Sequence, residues 1–172
     1  TKRNVVFTIP ALMGGTTINC TYGPAPTTSG IAGEYKGTDV VKVGSAFGPF
    51  NVTDAVYKVV ANADGTINVT VPEEQYNGTP MGDLTLGSFT ISNIALEEAT
   101  KAYVRDYSGD GLKAHFTAKK GGKVVMDKDY DFKNAKITLK LTEDGKLTVE
   151  NGFQLGSMPF PITTTYTGEK TK

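Results

Sequence analysis

Apolar and polar side chains alternate with a period of two along most of the chain, the pattern of β-strands with one dry face. The turns fix the register of that alternation. Around Ala63-Asp64-Gly65, a three-residue loop with Gly65 in the left-handed conformation sets Tyr57, Val59 and Ala61 opposite Val71, Val69 and Ile67. Lys58 and Asn62 then share the other face with Thr66, Asn68 and Thr70. A two-residue turn would mix the faces, because a slip of one position turns every side chain over. The same loop at Glu143-Asp144-Gly145 pairs Leu141 with Leu147, Leu139 with Val149, Lys140 with Thr148 and Thr138 with Glu150. Applied to Lys120-Gly121-Gly122, it pairs Ala118 with Val124 and Phe116 with Met126. Three hairpins with one solution predict an antiparallel meander.

Upstream, Asn4–Ile9 and Thr16–Tyr22 read as two strands joined through Met13-Gly14-Gly15, and Gly23–Gly30 as a linker or long loop. From Ile31 the strands recur at the spacing of a barrel or a sandwich. Leu84, Leu86, Phe89 and Ile91 lose their alternation at Gly87-Ser88, where a bulge or bend would restore it and help a sheet curl. Within Ile94–Val104, Leu96–Ala102 has the local propensity for a turn or two of helix.

At 172 residues the chain has room for one domain with a real core, and two would be a tight fit. Eighteen basic and 18 acidic side chains are interspersed, so neither a nucleic-acid footprint nor a polybasic membrane anchor is expected. No apolar run approaches the length of a transmembrane segment. Cys20 is the single cysteine, so no internal disulfide can form, and it reads as a buried, inert thiol. With one cysteine and one histidine, a Cys/His transition-metal site is excluded, and nothing points to a cofactor. The opening Thr1-Lys2-Arg3 leads directly into a strand-like run and reads as a mature or trimmed chain.

Four stretches carry a resemblance: Gly33-Glu34-Tyr35-Lys36-Gly37; Asn62 to Val71; Pro80-Met81-Gly82-Asp83-Leu84-Thr85; and Tyr166-Thr167-Gly168-Glu169-Lys170. Over roughly Ile31 to Lys170 the chain resembles the calycin-like (lipocalin-like) β-barrel domain of exported proteins and lipoproteins of gut Bacteroidetes. It departs from true lipocalins, which open with Gly-x-Trp, by having Gly33-x-Tyr35. The resemblance implies a single antiparallel up-and-down barrel of about eight strands, and a secreted, periplasmic or cell-surface location. It supplies no ligand. The expected fold is therefore all-β, a calycin-like barrel with an extra N-terminal β segment, and a β-sandwich as the alternative. The expected division is a strand and linker segment, 1–30, followed by the barrel domain, 31–172.

Candidate chemistry is sparse. In the three-residue register His115 faces Asp127, but no nucleophile stands beside them and no Gly-x-Ser-x-Gly elbow exists, so a cross-strand surface pair is the simpler account. Asp127, Asp129 and Asp131 would line one solvated strand face. Asp106-Tyr107-Ser108-Gly109-Asp110-Gly111 matches the start of a calcium loop, with Asp106, Ser108 and Asp110 as oxygen ligands, though Thr117 stands where the bidentate acid belongs. Asn19, Asn51, Asn68 and Asn77 satisfy Asn-x-Thr, which matters only in a eukaryotic source. Tyr35, Tyr57, Phe116 and Tyr166 fall on dry faces and either pack the core or line a small ligand site. Loops Gly44–Phe50 and Gly152–Pro161 would stand at a barrel mouth, yet bring no tuned acid–base pair. The expected function is thus non-enzymatic binding of a small apolar or amphipathic ligand, or else interaction with a cell-surface protein partner through a filled barrel.

Overall fold

The computed structural model describes residues 3–9 and 16–22 as backbone, and 30–79 and 81–171 in full. Strands β1 (Arg3–Ile9) and β2 (Thr16–Tyr22) pair as an antiparallel ribbon, with Val5 opposite Cys20. The Cys20 side chain, the turn at Met13-Gly14-Gly15 and the linker up to residue 29 lie outside the described residues.

Eight strands close into a barrel: β3 (Gly33–Val43), β4 (Phe47–Ala61), β5 (Ile67–Val71), β8 (Phe89–Glu97), β9 (Ala102–Asp106), β11 (Lys123–Leu141), β12 (Leu147–Leu155) and β13 (Ile162–Lys170). Antiparallel pairing of β13 with β3 completes the ring, which excludes the sandwich. Three further strands, β6 (Glu74–Thr79), β7 (Gly82–Leu86) and β10 (Lys113–Lys120), form a flap in the order β10-β7-β6. The flap hangs from β11, whose first half pairs with β10 and whose second half belongs to the barrel. A bulge at Asn134 (φ 48°) separates the two halves. Similar register shifts beside Asp54 and Asn93, both at positive φ, bend β4 and β8 as a closing sheet requires.

The two Asp-Gly hairpins take the expected register: Ala61 opposes Ile67, Leu141 opposes Leu147, and each three-residue loop ends in a left-handed glycine. The third hairpin does not. Gly121 and Gly122 are both at positive φ and make a two-residue turn, and a bulge then shifts the register. Phe116 therefore opposes Lys128 rather than Met126, Ala118 opposes Met126 rather than Val124, and His115 opposes Asp129 rather than Asp127. Two adjacent glycines can both adopt the left-handed conformation, so the tighter turn is open to them.

Gly87-Ser88 is not a bulge within one strand. It is where the chain passes from flap to barrel, between β7 and β8, with the Gly87 amide donating to the His115 carbonyl at 2.8 Å. No helix forms in Ile94–Val104; β8 runs through Glu97 and a turn at residues 98–101 returns as β9. Pairing of Leu96 with Tyr103 outweighs the weak local helix propensity of this short segment.

The core fills the barrel. Ile137, Leu139, Leu147, Val149, Val69 and Ile67 are completely buried, and the Tyr57 and Tyr166 rings stack with centroids 4.1 Å apart. The two end stretches of the resemblance form the closing seam, where Gly37 opposes Gly168. A side chain on Gly37 would meet the Thr167 carbonyl at 2.0 Å, and one on Gly168 would meet Tyr166 Oη at 2.0 Å. Glycine at both positions lets the backbones approach and the Tyr166 hydroxyl reach the Tyr35 carbonyl at 2.8 Å.

Candidate functional site

The flap creates a pocket that the barrel alone would not have. Because β6, β7 and β10 stand over one end of the barrel, their apolar faces meet barrel residues across a gap of about 400 Å³. Tyr76 and Leu84 come from β6 and β7, Phe116 from β10, and Met126 and Tyr130 from the first half of β11. Val43 and Ile162 supply the barrel side, and the loop Ser157–Phe160 completes the wall. An adjoining pocket of about 100 Å³ adds Phe47 and Phe50 and shares Val43, Leu84, Met81 and Phe160. The lining is almost wholly apolar, with three methionines (Met81, Met126 and Met158) and several rings, and such side chains adapt readily to varied guests.

Directly beneath lies a polar cluster in the barrel interior. Along β3 the inward positions run Tyr35, Asp39, Val41, Val43, which puts a carboxyl group in the core phase. Asp39 is fully buried, and Tyr57 donates a 2.6 Å hydrogen bond to its Oδ2. Glu74, the first residue of β6, is likewise buried and accepts a 2.5 Å hydrogen bond from Tyr76. The two carboxyls act on each other, one from the barrel and one from the flap. Burial, followed by the neighbouring Asp39 charge, pushes Glu74 up to about 8. Burial also raises Asp39, against the hydrogen bond from Tyr57 and the weaker lowering influence of Glu74, Val40 and Thr164. No basic group acts on either carboxyl. The pair therefore holds one proton at neutral pH, as two buried like charges in contact require.

The expected site residues separate. Phe116 lines the pocket, whereas Tyr35, Tyr57 and Tyr166 pack inside the barrel with their hydroxyls bonded to Ile31 O, Asp39 and Tyr35 O. Of the expected mouth loops, Gly44–Phe50 is a turn at 44–46 followed by the start of β4, and Gly152–Pro161 is strand as far as Leu155; Ser157–Phe160 lines the larger pocket, and Phe47 and Phe50 the adjoining one. His115 is exposed and bridges two carboxylates, Nε2 to Asp127 at 3.1 Å and Nδ1 to Asp129 at 2.8 Å. The Asp129 hydrogen bond is the main cause that raises its pKa. Asp131 pairs with Lys113 at 4.0 Å. In the loop 106–111, Asp106 accepts from the Ser108 amide, the Ser108 hydroxyl accepts from the Ala135 amide, and Asp110 pairs with Arg105. Among the described residues no group of three or more His, Cys, Asp or Glu is placed to hold a metal ion.

Sequence reasoning passed over Asp39 and Glu74. The alternation Tyr35-x-Gly37-x-Asp39-x-Val41-x-Val43 did carry a signal, an acid at an inward position.

Residues 31–169 match the family described as the calycin-like beta-barrel domain. The crystal structure of a candidate outer membrane protein from Bacteroides fragilis is similar, with a TM-score of 0.58 at 19% identity. The alignment covers 97% of this chain and 61% of that one, so the likeness speaks to the fold. A search of curated proteins finds no match.

Proposed function

This chain belongs to the calycin-like β-barrel domain family, and from that membership we propose a non-enzymatic exported binding module that carries a small apolar or amphipathic ligand at the barrel mouth. The observation that carries the reading is the apolar pocket of about 400 Å³ between flap and barrel, within the size range of small-molecule sites. Envelope location is part of the proposal, supported by the fold shared with a candidate outer membrane protein. The same reading divides the chain into an N-terminal strand segment, 1–30, and the barrel, 31–172.

Native mass spectrometry before and after incubation with a bacterial lipid extract tests it. A discrete added mass, lost on denaturation and reduced by Leu84→Trp, which would fill the pocket, is the expected result. A bare mass throughout would overturn the carrier reading. It would favour the second reading, an interaction module of a cell-surface assembly. That reading has its own support: the barrel interior is packed with rings, and β6 stands at the open end of the strand order.

A further inference from the structure

Among the described residues, four buried side-chain polar atoms lack a hydrogen-bond partner: Asp39 Oδ1, Glu74 Oε1, Thr164 Oγ1 and Asn151 Nδ2. They are not scattered. Glu74 and Thr164 both act on the Asp39 carboxyl, and Asn151 is the cross-strand neighbour of Thr164 on the interior face. Their residues are at most 5% exposed. A proton shared by the two acids leaves Thr164 Oγ1 and Asn151 Nδ2 unaccounted for, and buried polar atoms ordinarily find partners.

The cluster adjoins the apolar pocket. Ile162 lines the pocket and Thr164 is the next inward position along β13, about 7 Å away at the strand rise. Tyr76 stands between the two, its ring on the pocket and its hydroxyl on Glu74. A guest reaching through would meet three orphaned oxygens and an acid pair without a basic partner. A primary ammonium group has three N–H donors and one positive charge, and so matches this arrangement in number and in sign.

Resting on the carrier reading, we propose that Asp39, Glu74 and Thr164 form the polar end of the ligand site and take the ammonium head of an amphipathic amine, whose apolar tail fills the pocket above. Binding displaces the proton shared by the acids: the ammonium stays protonated, both carboxyls become anionic, and one proton leaves to solvent. The groups that face this site are Asp39, Glu74, Tyr57, Tyr76 and Tyr166, and the tyrosines are held neutral by burial. Affinity for the amine therefore rises with pH as the shared proton is lost.

Isothermal titration with decylamine, decanol and decanoate, in two buffers of different ionisation enthalpy, tests this on wild type and Glu74→Gln. The expected result is decylamine at least about tenfold tighter than decanol, from charge-assisted hydrogen bonds. Close to one proton should be released near pH 7, and Glu74→Gln should lose the preference while keeping decanol. Equal affinity for the three probes, or a preference that survives Glu74→Gln, would overturn the amine site and leave the apolar pocket standing. Because the wild-type comparison needs no variant, poor folding of Glu74→Gln leaves it intact. Failure of every probe to bind would instead count against the pocket itself.

Discussion

Glu74→Gln should change how stability depends on pH more than any other single substitution. Burial, and next to it the Asp39 charge, lifts Glu74 from 4.5 to about 8 in the folded protein. Between those values the native state keeps a proton that the unfolded chain has shed. Stability therefore falls as pH rises: this contribution is complete below about pH 4.5 and lost by about pH 8. A difference of that size corresponds to on the order of 5 kcal/mol, a large share of the 5–15 kcal/mol typical of a domain. At roughly 2–4 °C per kcal/mol for a chain of this size, wild type should melt some 10–20 °C lower at pH 9 than at pH 5. Glutamine has no proton to lose, can donate its amide to Asp39 and can still accept from Tyr76. The variant should match wild type near pH 5 and exceed it by several kcal/mol at pH 9. Thermal and urea unfolding of both proteins at intervals from pH 5 to 9 make the comparison, and the exposed His115 contributes equally to each. A difference between the two proteins that stays constant over the range would refute a proton held by the native acid pair.

Other predictions concern the seam and the surface. Gly37→Ala places a methyl 2.0 Å from the Thr167 carbonyl and 2.4 Å from Gly168 Cα, which only a parting of β3 and β13 would relieve. It should cost about 2–3 kcal/mol or more by chemical denaturation. Gly152→Ala meets nothing closer than Thr163 Cγ2 at 3.9 Å and should lie within about 1 kcal/mol of wild type; the reverse order would show that the closing seam is misplaced. An NMR titration of the single histidine should place His115 above its ordinary pKa. Asp129→Asn should lower it more than Asp127→Asn does, because the hydrogen bond to Asp129 is the leading cause, and a larger effect at Asp127 would contradict the observed register.

Much of the barrel was legible in the chain because strand pairing is local wherever a hairpin turn sets it. The loops at Asp64-Gly65 and Asp144-Gly145 each admit one register that keeps a face dry, and β4–β5 and β11–β12 pair that way. At Gly121-Gly122 two turns were compatible with the pattern, and a bulge near Val125 decided between them. Alternation alone cannot register such a bulge, since a residue inserted on one strand is visible only against its partner. The candidate site was less legible. Phe116 was found because it is apolar and inward, but its phase is shared by every core residue, so Tyr35, Tyr57 and Tyr166 were indistinguishable from it.

The amino-acid sequence by itself determined the all-β class, the hairpin turn positions and the dry face of the strands they join. These follow from side-chain period and backbone sterics, which act over a few residues. Only the tertiary structure decided that β6, β7 and β10 leave the ring to cover its mouth, and that Glu74 of the flap comes to rest against Asp39 of the barrel, 35 positions away along the chain. Both depend on which strand edges meet after the barrel closes. The pocket and its acid pair arise from that long-range meeting of edges, which no run of neighbouring residues encodes.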